Sequence, residues 1–175
     1  MKILFVCLGN ICRSPLAAGI LRKQVMELGL GWQVDSAGLA NKFVGCTADP
    51  RVVEVAQKHR IDLLDHKVRK FQNSDFVVYD VILTMSDDLA RRLVAKAANV
   101  AQADKIWLLP DFLDGLADTI DLPDPYFWEV PLFESLFYKI EAACVRVVET
   151  FNTPDIMELF EETVSSNALT YELRT

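Results

Sequence analysis

Histidine is almost missing from this chain of 175 residues: His59 and His66 are the only two, and neither stands among clustered cysteines or carboxylates at metal-ligand spacing. No metal site and no cofactor are therefore expected. Basic charge is in deficit, with 18 Lys and Arg against 25 Asp and Glu and a net charge of −7, which excludes general attraction to nucleic acid or an anionic membrane. No apolar run is long enough to span a bilayer. The nearest thing to a signal-peptide core, Ile3 to Leu8, is short and runs into Asn10 and Arg13 without a small-residue cleavage site. Glycine and proline number seven each, and no internal repeat or low-complexity stretch is present. With 51% hydrophobic residues, the chain is expected to fold as a domain with a substantial core.

What is present begins at residue 2. Lys2 to Val6 is a short strand-like run, apolar after its first residue, of the kind that is covered on both faces in a parallel sheet, and Cys7 stands at its carboxyl end. Ligands of open α/β sheets bind at that edge. Six positions later comes Arg13, followed by Ser14 and Pro15. The reading places Ser14 as the N-cap and Pro15 as the first residue of a helix, so that residues 8 to 13 form a tight loop feeding a helix N-terminus. Such a loop turns successive backbone N–H groups inward and makes an anion-binding nest, reinforced by the helix dipole. It lacks the paired glycines and the Gly-Lys-Ser/Thr ending of a nucleotide-binding loop.

A thiol facing such a nest and the Arg13 guanidinium is drawn toward thiolate, its nucleophilic form. Arg13 is permanently charged and planar, and can hold two phosphoryl oxygens at once in a way that lysine cannot. The Ser14 hydroxyl is placed to donate to the sulfur. Asn10 tolerates a left-handed backbone and is expected to hold the loop's shape. The loop Leu8, Gly9, Asn10, Ile11, Cys12, Arg13 and Ser14 thus reads as a phosphate cradle around Cys7.

Breaking a phosphate ester also needs a proton donor for the departing oxygen. Asp111, Asp114, Asp118, Asp121 and Asp124 are available, but only Asp124 is bracketed by prolines, in Leu122-Pro123-Asp124-Pro125, which restricts the backbone on both sides. Tyr126, Phe127 and Trp128 follow and offer aromatic faces for an aryl leaving group. The other four aspartates read as solvated surface.

Cys7 to Pro15 resembles the signature loop of the low-molecular-weight protein tyrosine phosphatases. Further matching stretches are Val34-Asp35-Ser36-Ala37-Gly38, Ala48-Asp49-Pro50-Arg51, His66-Lys67-Val68-Arg69 and Asp124-Pro125-Tyr126-Phe127, in family order from residue 1 to about 152. The resemblance implies a single-domain three-layer α/β sandwich, with a four-stranded parallel sheet and the phosphate loop after the first strand. It implies hydrolysis of phosphotyrosine or small aryl phosphate monoesters through a phosphocysteine on Cys7, with Asp124 as acid and then base. His66 and Ser36 would brace the loop. At the cleft wall where the family commonly has an aromatic residue this chain has Lys42, with Phe43 beside it, so substrate preference is open between acidic phosphopeptides and other phosphate esters.

Cys12 beside the nucleophile is a redox candidate, able to form a reversible disulfide with Cys7. Cys46 and Cys144 read as structural. A reactive thiol needs a reducing compartment, which places the protein in the cytoplasm. Two other readings stay open: a thiol oxidoreductase resembling the arsenate reductases of this fold, although residues 84 to 104 contain no cysteine for it, and a non-catalytic phosphate-binding module. The expected partner is the phosphorylated substrate, with weak self-association left open and neither nucleic acid nor membrane expected.

Elsewhere, Trp32 to Ala37, Tyr79 to Met85 and Lys105 to Leu109 read as strands. Asp49-Pro50 opens a helix to about His59, and Ser86 caps another to about Val94. Leu132, Phe133, Leu136, Phe137, Ile140, Cys144, Val147, Val148 and Phe151 recur at helical spacing and predict a long helix with one face on the sheet. Residues 1 to 152 make the domain. From 153 to 175 a short helical extension and a polar tail are expected to pack on it.

Overall fold

The structure is a computed structural model that describes residues 1–113, 122, 124–125 and 130–153. The expected extension after 153 and the aromatic trio Tyr126, Phe127 and Trp128 lie outside the described residues. Four strands, β1 (Lys2–Cys7), β2 (Gln33–Gly38), β3 (Val81–Thr84) and β4 (Ile106–Leu108), form one parallel sheet in the order β2-β1-β3-β4. Among the described residues the helices are α1 (Arg13–Glu27), α2 (Pro50–Lys58), α3 (Asp75–Val78), α4 (Asp87–Val94), α5 (Val100–Ala103) and α6 (Val130–Phe151), with a 3₁₀ turn at Leu109–Leu113.

Strand alternation explains the layers. Ile3, Phe5 and Cys7 of β1, with Val81 and Leu83 of β3, face one core shared with α1, α2 and α6. Leu4, Val6 and Ile82 face the other, built with Phe71, Phe76 of α3 and Leu93 of α4. Both faces of the central strands are dry, which is why β1 shows no polar interruption after Lys2. On leaving β1 the chain moves to one side to form β2 and then crosses to the other for β3, so the carboxyl end of β1 lies at the point where the winding reverses. This is where a doubly wound sheet opens a crevice for a ligand, and Cys7 is the last residue of β1.

Asp49 caps α2 as the Asp-Pro pair predicts, its carboxylate accepting from the Arg51 N–H at 2.9 Å. Three expectations are corrected. Helix α1 starts at Arg13 with Cys12 as its N-cap, so Ser14 is not the cap and Pro15 is not the first helical residue. The Ser14 hydroxyl is taken by the loop instead. Leu132 is 46% exposed despite its place in the apolar register of α6, whose buried stripe runs from Phe133 to Phe151. The third strand is also shorter than the apolar run suggested: it starts at Val81, and before it the Tyr79 hydroxyl pairs with Arg69 and Asp35 while the Asp80 carboxylate accepts from the Lys2 N–H.

Candidate active site

Residues 8 to 12 wrap back around the Cys7 sulfur, and their carbonyls show which way the loop faces. The Cys7 and Leu8 carbonyls accept from the N–H groups of Leu39 and Ala40 at 3.1 and 2.9 Å, and the Ile11 carbonyl accepts from Asp49 at 2.9 Å. The Asn10 carbonyl lies 2.9 Å from His66 Nε2. A trans peptide directs the following N–H opposite to its carbonyl, so with these carbonyls tied outward the loop's amides face its concave side. That is an anion nest.

Asn10 lies within the loop in the left-handed region at φ 55°. Its N–H donates to Cys7 Sγ at 3.1 Å, and its side-chain Nδ2 donates to Ser14 Oγ and Ser36 Oγ, both at 2.9 Å. Ser14 Oγ in turn lies 3.0 Å from Cys7 Sγ. Two hydrogen-bonding groups therefore converge on one buried sulfur. Gly38 at the end of β2 is needed for this closeness, since a Cβ there would stand 3.0 Å from the Leu8 carbonyl oxygen and from Asn10 Cβ. Burial, with Arg22 nearby, holds the His66 pKa below its ordinary value, so the ring is neutral at pH 7. Facing a carbonyl, Nε2 carries the ring proton and donates it to Asn10.

Arg13, 6% exposed, reaches from α1 across the mouth of the loop. Its Nη1 donates to the Leu122 carbonyl at 3.1 Å, and its Nη2 makes a short ion pair with Asp124 Oδ2. The carboxylate that the sequence singled out thus sits beside the guanidinium from 111 residues away, still partly open to solvent. A cleft of ≈ 230 Å³ joins Cys7, Arg13 and Asp124, with Leu8, Ile11, Ala40, Lys42 and Phe43 among its walls. The Lys42 ammonium lies 5.0 Å from the centre of the Phe43 ring. Lys42 and Phe43, the two cleft-wall residues within the described chain, both line this cleft.

Cys12 is buried, and burial together with Asp49 pushes its thiol pKa well up. Cys144 is fully buried on α6, whereas Cys46 is exposed, so its expected structural role does not hold. All four cysteines are free thiols. Among the described residues no group of three or more His, Cys, Asp or Glu is arranged to hold a metal, and no helix is long and apolar enough to cross a membrane. Sequence reasoning missed the backbone N–H of Arg69, which donates to Asn10 Oδ1 at 3.1 Å, and the Leu122 carbonyl on Arg13. The only sequence signal for the former was the stretch His66 to Arg69 itself.

A thiol in an amide nest at the switch point of a parallel sheet, with a buried arginine across it and a carboxylate at the rim, defines a phosphate-handling thiol enzyme of the α/β class. The family model for low molecular weight phosphotyrosine protein phosphatase matches residues 2–155. A Streptomyces coelicolor low molecular weight protein-tyrosine-phosphatase is 38% identical over 145 residues, covering 81% of this chain and 88% of that protein. The pig low molecular weight phosphotyrosine protein phosphatase is 36% identical over 153 residues, covering 86% and 92%. Among solved structures, a protein tyrosine phosphatase from Entamoeba histolytica superposes with TM-score 0.81 at 32% identity, covering 87% of this chain and 97% of its own. A Drosophila arginine phosphatase superposes with TM-score 0.82 at 31% identity, covering 88% and 99%. The chain belongs to the low molecular weight phosphotyrosine protein phosphatase family and is a phosphoric monoester hydrolase.

Proposed function

We propose that Cys7 attacks the phosphorus of a phosphotyrosine side chain, with Asp124 as proton donor. The observation that carries this reading is the convergence of Cys7, Arg13 and Asp124 on one cleft. The Cys7 sulfur, as thiolate, forms the S–P bond while the phenolic P–O bond breaks and the departing oxygen takes a proton from Asp124. Arg13 and the loop amides carry the charge spread over the equatorial oxygens. Arrival of the phosphate dianion displaces the Asp124 carboxylate from Arg13, and the freed carboxylate takes up a proton from solvent and so faces the leaving group as an acid. Asp124, now a carboxylate, then takes a proton from water as that oxygen attacks phosphorus. The P–S bond breaks and the thiolate is regenerated.

Rapid quench of an aryl phosphate with a good leaving group tests this directly. Such a leaving group needs little protonation, so Asp124→Ala is expected to form the phosphocysteine and then stall without its base. Peptide mass analysis should show a stoichiometric phosphoryl group on the peptide containing Cys7, with steady-state turnover lower by about 10²–10⁴-fold. Absence of that adduct in both wild type and variant removes the covalent route.

The apolar walls Leu8, Ile11 and Phe43 suit an aromatic ring, and the Lys42 ammonium at the rim favours carboxylates flanking it. The same ammonium opposes a cationic guanidino leaving group, which favours phosphotyrosine here over the substrate named for the Drosophila relative. Lys42→Trp is expected to lower the ratio of kcat/KM for an acidic phosphopeptide over a small aryl phosphate by about threefold to fivefold, the worth of one exposed ion pair. An unchanged ratio would show that Lys42 does not read the peptide. Cys12 stands next to this chemistry as the partner for reversible oxidation of Cys7, and a reducing compartment such as the cytoplasm suits the reactive sulfur.

A further inference from the structure

Arg69 touches neither the cleft nor the proposed reacting atoms, yet the loop's scaffold is fastened to it from several sides. Its guanidinium binds Asp35 of β2 at 2.9 Å and Asp75 of α3 at 3.0 and 3.2 Å. It also donates to the Tyr79 hydroxyl at 3.2 Å, and that hydroxyl donates to Asp35 at 3.0 Å. Asp75 is nearly buried and accepts a further bond from the Gln72 N–H at 2.8 Å. Burial alone would weaken the charges on Arg69 and Asp35. The Asp75 and Asp35 carboxylates more than offset it for Arg69, and the Ser36 N–H with Arg69 does so for Asp35. The guanidinium thereby straps β2 and α3 to residues 68 to 71, which lie alongside the end of β2 through Gly38 N–H to Arg69 O at 2.9 Å and Phe71 N–H to Gly38 O at 2.8 Å.

We propose that Arg69, through this cluster, is a positioning residue that sets the direction of the hydrogen-bond chain ending on the Cys7 sulfur. A carboxamide has nearly the same shape either way round, but a backbone N–H facing it admits only the oxygen. The Arg69 N–H on Asn10 Oδ1 therefore commits Asn10 Nδ2 to the Ser14 and Ser36 oxygens. Ser14 Oγ, receiving that proton, has its own to give, and its two acceptors are Cys7 Sγ at 3.0 Å and the Ala37 carbonyl at 3.4 Å. The nearer acceptor is the sulfur, and a charged sulfur attracts the proton further. Donation thus runs in one sense, from Arg69 through Asn10 and Ser14 to Cys7. Without the strap the Arg69 amide drifts, Asn10 is free to flip, and Ser14 loses the partner that orients it.

This inference rests on Cys7 being the reacting sulfur, and the test separates the two. Arg69→Met keeps the length of the stem and removes the charge. It is expected to lower kcat for an aryl phosphate by about tenfold with little change in KM, the effect of a modest misplacement at the nucleophile. The rate at which iodoacetate inactivates the enzyme at fixed pH should fall in proportion. In an Asn10→Ala background the same substitution should lose no more than about a further twofold, because the link it acts through is already gone. A purely structural residue would keep its full effect in that background.

If Arg69→Met does not fold, Asp35→Asn and Tyr79→Phe carry the same comparison. Unchanged kcat and inactivation rate in folded variants, or a full further tenfold loss in the Asn10→Ala background, overturns the proposal. Wild-type enzyme that iodoacetate does not inactivate would instead overturn the role of Cys7.

Discussion

Cys7→Ser is expected to reduce kcat/KM for an aryl phosphate by at least about 10⁴-fold, or about 5 kcal/mol of transition-state stabilisation, while the protein stays folded. The argument turns on what one atom does in this setting. The loop offers the sulfur an N–H from Asn10 and a hydroxyl from Ser14, both suited to a negative atom. A serine hydroxyl in the same place stays protonated at neutral pH, because an alcohol gives up its proton far less readily than a thiol. The nest would still bind phosphate. The variant should therefore bind inorganic phosphate, by calorimetry, within about threefold of the wild-type affinity, which separates loss of the nucleophile from loss of the site. Thermal unfolding should shift by no more than a few degrees, because the change leaves the buried volume nearly intact. Retained turnover would remove sulfur from the mechanism. Lost phosphate binding would show that the sulfur also shapes the nest.

How much of this was readable before the structure depends on how local each cause is. Cys7, Asn10, Arg13 and Ser14 lie within eight consecutive residues, and the strand before them and the helix-compatible Pro15 after them constrain the same short segment. The Asp49-Pro50 helix start was legible for the same reason, because the cap is satisfied two residues on by Arg51. Asp124 was legible through its flanking prolines, although nothing local says that its carboxylate ends beside Arg13.

What escaped was long-range and carried by the main chain. The Arg69 N–H that holds Asn10 Oδ1 is 59 residues away, and any non-proline residue could supply that donor, so residue identity gives no hint of it. The start of α1 escaped because the cue of Ser14 before Pro15 competes with the loop. Asn10 and Cys7 claim the Ser14 hydroxyl, and the helix begins two residues before Pro15 without a side-chain cap. Leu132 satisfies the period of α6 but sits at the edge of the stripe, exposed beside a fully buried Phe133. Cys46 was assigned on residue type, and cysteine's general preference for the interior says nothing about a loop that leaves it in water.

Arg13→Lys keeps the charge and discards the fork, and it is expected to lower kcat/KM by about 10³-fold. Arg13 already displays the two directions it must serve, with Nη1 on the Leu122 carbonyl and Nη2 on Asp124. A planar group fixed at one edge by that carbonyl presents its remaining N–H groups at a set angle to the phosphoryl oxygens. An ammonium has no such edge. The loss should fall on kcat as well as KM, because the bidentate contact strengthens as charge moves onto the equatorial oxygens during transfer. A rise in KM alone would mean that Arg13 only attracts the dianion. The lysine variant should also loosen the segment around Leu122 and Asp124, seen as faster amide exchange there, since both partners on that segment depend on the guanidinium's reach. Methylated analogues of the substrate phosphate give the decisive contrast. With one oxygen blocked, wild type and Arg13→Lys should become nearly equal, because the fork then has only one oxygen to hold. A variant that stays 10³-fold slower on the blocked ester would place the role of Arg13 elsewhere than in gripping two oxygens at once.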